Sequence, residues 1–135
     1  MRINPLDLDW NRFLVVEDGQ GNLVGCGQVK EHGDGSRELA SLAVEEPWRR
    51  RGIASALVRH LQERHDPPLW LTCQSGLVGF YEGFGFSEVS NPQELPRYFR
   101  KILRLARMFH WLAPGERLAV MLWNRDTGAR GRTDT

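Results

Sequence analysis

The chain has 135 residues, 41% of them hydrophobic and 26% charged, which suits one ordinary domain with a sizeable core. Its net charge of +1 excludes a global electrostatic case for nucleic acid or for a strongly acidic partner. Cys26 and Cys73 sit in apolar runs as reduced thiols do, no stretch approaches a bilayer span and no secretory leader is apparent, so a cytoplasmic location is expected.

Residues 1–10, with Asn4-Pro5 and two aspartates, read as irregular or a short helical turn. Residues 12–17 read as a strand, and Asp18-Gly19-Gln20-Gly21-Asn22 as a hairpin turn, because Gly and Asn accept positive φ. Leu23–Glu31 resumes as a strand in which Gly25 and Gly27 mark a bulge or a close approach. Gly33-Asp34-Gly35-Ser36 turns again, and Arg37–Val44 completes an antiparallel meander. Ile53, Leu57, Val58 and Leu61 fall at helical spacing over Ile53–Arg64, and Asp66-Pro67-Pro68 stops that helix. Leu69–Gln74 is a buried strand, so the strand–helix–strand unit implies a parallel pair through a right-handed crossover. A short, glycine-weakened helix over 76–83 ends at Gly85, and 86–89 is a strand. A long amphipathic helix over 94–112 carries Pro96 in its first turn, and Leu118–Trp123 is the last strand. Residues 126–135 read as a disordered tail, leaving 1–125 as one domain.

The stretch Arg49-Arg50-Arg51-Gly52-Ile53-Ala54 lies where a strand turns into a helix. A helix start offers unpaired N–H groups and the positive end of the dipole. A glycine there lets the backbone approach a phosphate, and three arginines add bidentate donors. Arg49-x-x-Gly52-x-Ala54 resembles the acyl-CoA pyrophosphate-binding signature of the GNAT N-acetyltransferase superfamily, Gln/Arg-x-x-Gly-x-Gly/Ala. About 30 residues on, Tyr81-Glu82-Gly83-Phe84-Gly85-Phe86 resembles the family's closing motif, Tyr-Glu-x-x-Gly-Phe.

The resemblance implies an α/β (α+β) fold: a mixed, mostly antiparallel sheet with flanking helices and a splayed central strand pair. It implies transfer of acetyl from acetyl-CoA, as co-substrate, to a primary amine by direct attack in a ternary complex. In that family Tyr81 would protonate the departing thiolate, while Arg49, Arg50, Arg51, Gly52, Ile53 and Ala54 would hold the pyrophosphate. The backbone of Leu42, Ala43 and Val44 would pair with the pantetheine arm, and the Leu42 N–H would polarise the thioester carbonyl. Glu38 stands eleven positions before Arg49, where the histone-acetyltransferase branch has its general base. Gln74 stands seven residues before Tyr81, where many members carry an asparagine that contacts the arm, and departs from them by its longer amide. Plain structural readings stand beside these: Tyr81 as an aromatic core residue, Glu38 as a strand carboxylate paired with Arg37 or another charge, and the arginines as a solvated turn.

The family usually opens with a strand and two helices before the strand at 12–17, and about a dozen residues stand there in this chain. The acceptor wall is then minimal, or another chain or the 95–112 segment supplies it. Phe99, Ile102, Leu103, Ala106 and Phe109 form an apolar stripe there, with Arg97, Arg100, Lys101, Arg104 and Arg107 on other faces. This helix reads as a packed helix with a solvated basic face, as an acceptor wall or the contact of a homodimer, or as a surface for a membrane or nucleic acid. The four histidines show no metal spacing. The alternative to an enzyme is a non-catalytic CoA-binding or interaction module.

Overall fold

The computed structural model describes residues 2–5, 13–109 and 115–124. Its contacts gather into two compact units, residues 1–30 with 39–66 and residues 31–38 with 67–135. The expected tail at 126–135 and residues 110–112 of the expected long helix lie outside the described residues. Among the described residues no helix is long and apolar enough to cross a membrane.

In the first unit β1 (Arg2–Pro5), β2 (Phe13–Glu17) and β3 (Leu23–Glu31) pair antiparallel, with Ile3 opposite Val16 and Val15 opposite Cys26. β3 in turn neighbours β4 (Arg37–Val44). Residues 2–5 thus form a strand where the sequence suggested irregular chain. Pro5 is tolerated because β1 is an edge strand, where a missing ladder donor costs little. The β2–β3 turn is held by the Asp18 carboxylate, which accepts from the Gln20 N–H at 2.8 Å and the Asn22 N–H at 2.9 Å, while Gly21 takes φ +86°.

Over this sheet lies α1 (Ile53–Arg64), with Ile53, Leu57, Val58 and Leu61 buried. Its close approach depends on two glycines of β3. A Cβ on Gly25 would lie 3.1 Å from Ile53 Cγ2 and 3.3 Å from the Ala43 carbonyl oxygen; one on Gly27 would lie 3.2 Å from methyls of Leu42 and Leu61. The β2–β3 register also shifts beside Gly25, so both expectations for these glycines are met.

In the second unit β5 (Leu69–Gln74) pairs antiparallel along its length with β7 (Leu118–Trp123), and β6 (Ser87–Glu88) pairs with β7's other edge. β5 meets β4 in parallel at one position among the described residues, Glu38 opposite Trp70. The expected 76–83 helix is a 3-10 turn at Ser75–Leu77 followed by α2 (Val78–Glu82), and the expected 86–89 strand is shortened to β6. The long helix resolves into a 3-10 turn at Pro92–Glu94 and α3 (Arg97–Phe109). Pro96 stands just before α3, where its missing N–H and fixed φ are harmless. α3 packs through Phe99 and Leu103 on Trp70 and Val120, with the Trp70 and Phe99 rings stacked 5.6 Å apart.

The start of α3 is tied down by a residue 64 positions away. Asp34 Oδ2 accepts the Tyr98 N–H at 2.9 Å, and Asp34 Oδ1 accepts the Ser36 N–H at 2.9 Å and the Ser36 hydroxyl at 2.6 Å. The carboxylate therefore caps the helix from another element and complements its dipole. These bonds, the Ser36 hydroxyl first, hold the Asp34 carboxyl down at about 2. A carboxyl depressed below its unfolded value, ~3.9, stabilises the fold fully above that value and loses its effect as pH falls through the folded value. Asp34→Asn should therefore lower Tm at neutral pH, and the gap from the parent protein should close as pH falls from about 4 to about 2. Thermal melts across that range check it.

Candidate active site

At the end of β4 the chain turns sharply into α1. The Val44 carbonyl accepts Arg49 Nε–H at 3.0 Å, which draws Arg49 back to the strand end. Arg50 takes φ +66° and Gly52 φ +83°, two left-handed residues with one between them. Left-handed residues in such a turn aim successive N–H groups into a shared concavity. Gly52 is the N-cap of α1 and no side chain caps the helix there. The Ala56 N–H reaches the Gly52 carbonyl at 3.0 Å, so Ile53, Ala54 and Ser55 precede the first intrahelical donor. Arg51 places its guanidinium 4.8 Å over the Trp48 ring, and Arg49, Arg50 and Arg51 are all exposed. The turn is suited to an anion.

Upstream in β4, Ser41 takes φ +57°, a left-handed residue within a strand. Gln28 Nε2 donates to its hydroxyl at 2.8 Å and the Cys26 thiol to its carbonyl at 3.4 Å. The break falls directly before Leu42, which is half-buried, as is Val44; Ala43 is exposed. Leu42, Ala43, Val44 and Arg49–Ala54 thus all belong to the first unit.

Glu38, Gln74 and Tyr81 belong to the second. Tyr81 is buried in α2, with Phe80 and Phe86 set edge-on to its ring at 5.0 and 6.0 Å. Burial pushes its phenol up to about 12, with the Cys73 charge adding to the effect. The Cys73 thiol is pushed up to about 11, first by burial. Gln74 is exposed at the end of β5, opposite Leu118. Beyond it Glu116 Oε2 accepts the Ser75 hydroxyl at 2.8 Å and the Gly76 N–H at 3.1 Å, fixing the turn that leads into α2.

Glu38 is buried, and the charge partner it meets is His32. Its Oε1 lies 2.7 Å from Nε2 of His32. The His32 ring stacks on Tyr98 at 3.5 Å and 12°, with Phe99 edge-on at 5.8 Å. Neither His32 nor Tyr98 stood out in the sequence. The one available signal was the turn at 33–36, which sets His32 back across from Ser36, its N–H reaching that carbonyl at 2.9 Å.

Strand alternation separates these groups. Trp70 faces α3, so Cys73, three residues on, faces the other way and touches Met121 at 3.8 Å. Glu38, in register with Trp70, shares the α3 side, whereas Tyr81 lies by Cys73 on the opposite one. Among the described residues no group of His, Cys, Asp or Glu gathers to hold a metal.

A Cβ on Gly52 would meet nothing within 4 Å, so the position demands glycine for φ alone. Gly52→Ala should cost about 1–2 kcal/mol in chemical denaturation, and Gly52→Asn, which tolerates left-handed backbone, should cost clearly less.

Several solved structures share this fold. The chain is similar to N-acetylglutamate synthase from Neisseria gonorrhoeae, solved with coenzyme A and N-acetyl-glutamate, at TM-score 0.61 and 24% identity over 84% of this chain and 26% of that one. It is similar to Escherichia coli ElaA at TM-score 0.60 and 19% identity, covering 83% of this chain and 67% of that one. The Bacillus subtilis N-acetyltransferase YlbP, solved with coenzyme A, matches at TM-score 0.56 and 17% identity over 87% of this chain and 70% of that one. The chain thus spans about a quarter of the N-acetylglutamate synthase. No curated protein sequence matches significantly. The Acetyltransferase (GNAT) domain profile matches residues 9–88, more than half of the chain and inclusive of both the glycine turn and Tyr81, and the chain belongs to the GNAT acetyltransferase family.

Proposed function

We propose that this protein moves an acetyl group from acetyl-CoA to a primary amine of a small molecule or a peptide by direct attack on the thioester. The observation that carries the reading is the turn at 49–54: two left-handed residues run into a helix start that no side chain caps, with open space beside Gly52. That geometry fits a pyrophosphate, held by backbone N–H groups with Arg50 and Arg51 beside it. The coenzyme A held by the Neisseria and Bacillus structures supports the same assignment. Past the break at Ser41, backbone groups of Leu42, Ala43 and Val44 would pair with the pantetheine arm, and the Leu42 N–H would steady the developing oxyanion. The exposed amide of Gln74 is a further contact for the arm.

Tyr81 is the proposed donor to the leaving sulfur. A phenol pushed up to about 12 is neutral throughout the working range, so the proton is always present. An ordinary thiolate, with pKa ~8.5, would take that proton poorly. The neighbouring Cys73 thiol is itself pushed up to about 11, first by burial, and the same desolvation would raise a leaving thiolate in the same direction. Shared desolvation brings donor and acceptor closer in strength. α3, with Tyr98 at its start, is the proposed acceptor wall, and its outer face, where Leu105 and Met108 are exposed, is where we place a homodimer contact.

The test is thiol release from acetyl-CoA against phenethylamine, lysine and a dipeptide, with Tyr81→Phe in parallel. Release should fall about 10²-fold or more in the variant, while the rise in Tm produced by CoA stays the same. Equal rates overturn the role of Tyr81. A Tm rise with no release from the parent protein supports the binding-module reading.

A further inference from the structure

We propose that His32 is the group that takes the proton from the acceptor's ammonium, with Glu38 as its positioning partner. The inference rests on the acetyl-transfer reading and changes which residue acts as base. An ionised carboxylate only accepts hydrogen bonds, so the 2.7 Å contact between Glu38 Oε1 and His32 puts a hydrogen on Nε2. The neutral ring then keeps its lone pair on Nδ1, and Nδ1 has no hydrogen-bond partner among the described residues. Both side chains are largely withdrawn from water, at 13% and 11% exposure, so Glu38 would stabilise the imidazolium once it forms. The roles mirror those of a histidine base held by a carboxylate in hydrolases.

The surroundings hold the ring in one plane. Tyr98 covers one face at 3.5 Å and Phe99 approaches edge-on, so the ring cannot tip without losing the stack. Tyr98 is fixed in its turn by the bond from its N–H to Asp34. The charged and titratable groups facing His32 are Glu38 from β4, Asp34 from the turn and the Tyr98 phenol from α3. An imidazole is also a better match than a free carboxylate to proton transfer near neutral pH.

The pair lies on the α3 side of β5, and Tyr81 on the other. Because nitrogen and sulfur share one carbon in the intermediate, His32 acts before the attack, on the ammonium as it arrives on the α3 side, and Tyr81 acts at the sulfur afterwards. The ammonium gives one proton to Nδ1, which passes it to water, and the neutral amine forms the C–N bond. As the C–S bond breaks, nitrogen sheds a second proton to water and sulfur takes one from Tyr81, which water restores. One proton is released for each acetyl moved.

The experiment is the pH profile of kcat/KM for acetylation of the best amine in the panel above, using the parent protein, His32→Gln, His32→Ala and Glu38→Gln. The parent should lose activity as pH falls, because a protonated ring cannot take the ammonium proton. His32→Gln should be about 10²-fold slower at pH 7 and lack that limb, with the KM for acetyl-CoA unchanged. Added imidazole should restore part of the rate to His32→Ala, which a packing role would not allow. Glu38→Gln should lower kcat while leaving the KM for acetyl-CoA unchanged, as expected of a residue that positions the base. A parent protein that turns over while His32→Gln keeps its rate and limb, or while imidazole does nothing for His32→Ala, overturns the assignment. A parent protein with no turnover overturns the acetyl-transfer reading itself, and the parent alone thus tells the two failures apart.

Discussion

In the second unit the start of α3 is positioned by one hydrogen bond, from the Tyr98 N–H to the Asp34 carboxylate. Without it the Tyr98 N–H would turn to water, and the turn at 33–36 would lose this tie to α3. With it, Tyr98 is delivered onto His32, and His32 onto Glu38. The chain of contacts is short and each link is directional. A neutral stack of rings alone would permit sliding; the carboxylate at its base sets the register of the helix against the turn. The buried residues Phe99, Leu103 and Trp70 then supply the bulk of the packing energy in that arrangement.

The first unit solves a different problem, how to bring a helix start close to a strand end. Glycine at 25 and 27 removes the side chains that would hold α1 away, and the contacts left for a Cβ there are about 3.1–3.3 Å. The helix can then settle on β3, and the eight residues, 45–52, that connect it to β4 must turn within a small space. Arg50 and Gly52 accept left-handed backbone to do so. Fold and proposed anion site have one origin here: the tight connection leaves N–H groups at the helix start that no side chain caps.

What the sequence made legible follows from how local each signal is. Gly52, the arginines and Tyr81 belong to short motifs whose meaning lies within six residues, and the strands Leu23–Glu31, Leu69–Gln74 and Leu118–Trp123 appear with the bounds their patterning suggests. Strand β1 is not legible in the sequence because Asn4-Pro5 mimics a breaker, and only its pairing with Leu14–Glu17 makes it extended. The start of α3 was placed too early because Glu94 looks like a first-turn acid, whereas Leu95 takes extended backbone before Pro96. His32 could not be weighed at all. Its importance comes from Glu38 across a turn and from Tyr98, 66 residues on, and neither distance leaves a periodic trace.

Strand β5 carries a consequence for how this chain can change. Its Trp70 and Cys73 sides serve opposite ends of the proposed chemistry, and its six residues are locked to β7 in unbroken register. A single-residue insertion or deletion within it would exchange the two sides, carrying the cysteine environment toward α3 and the tryptophan toward α2. Lineages of this chain should thus accept length variation in the 89–94 connection, which is mostly exposed, and almost none between Leu69 and Gln74. Attempts to retune the acceptor by recombination have natural crossover points on either side of that strand and none inside it.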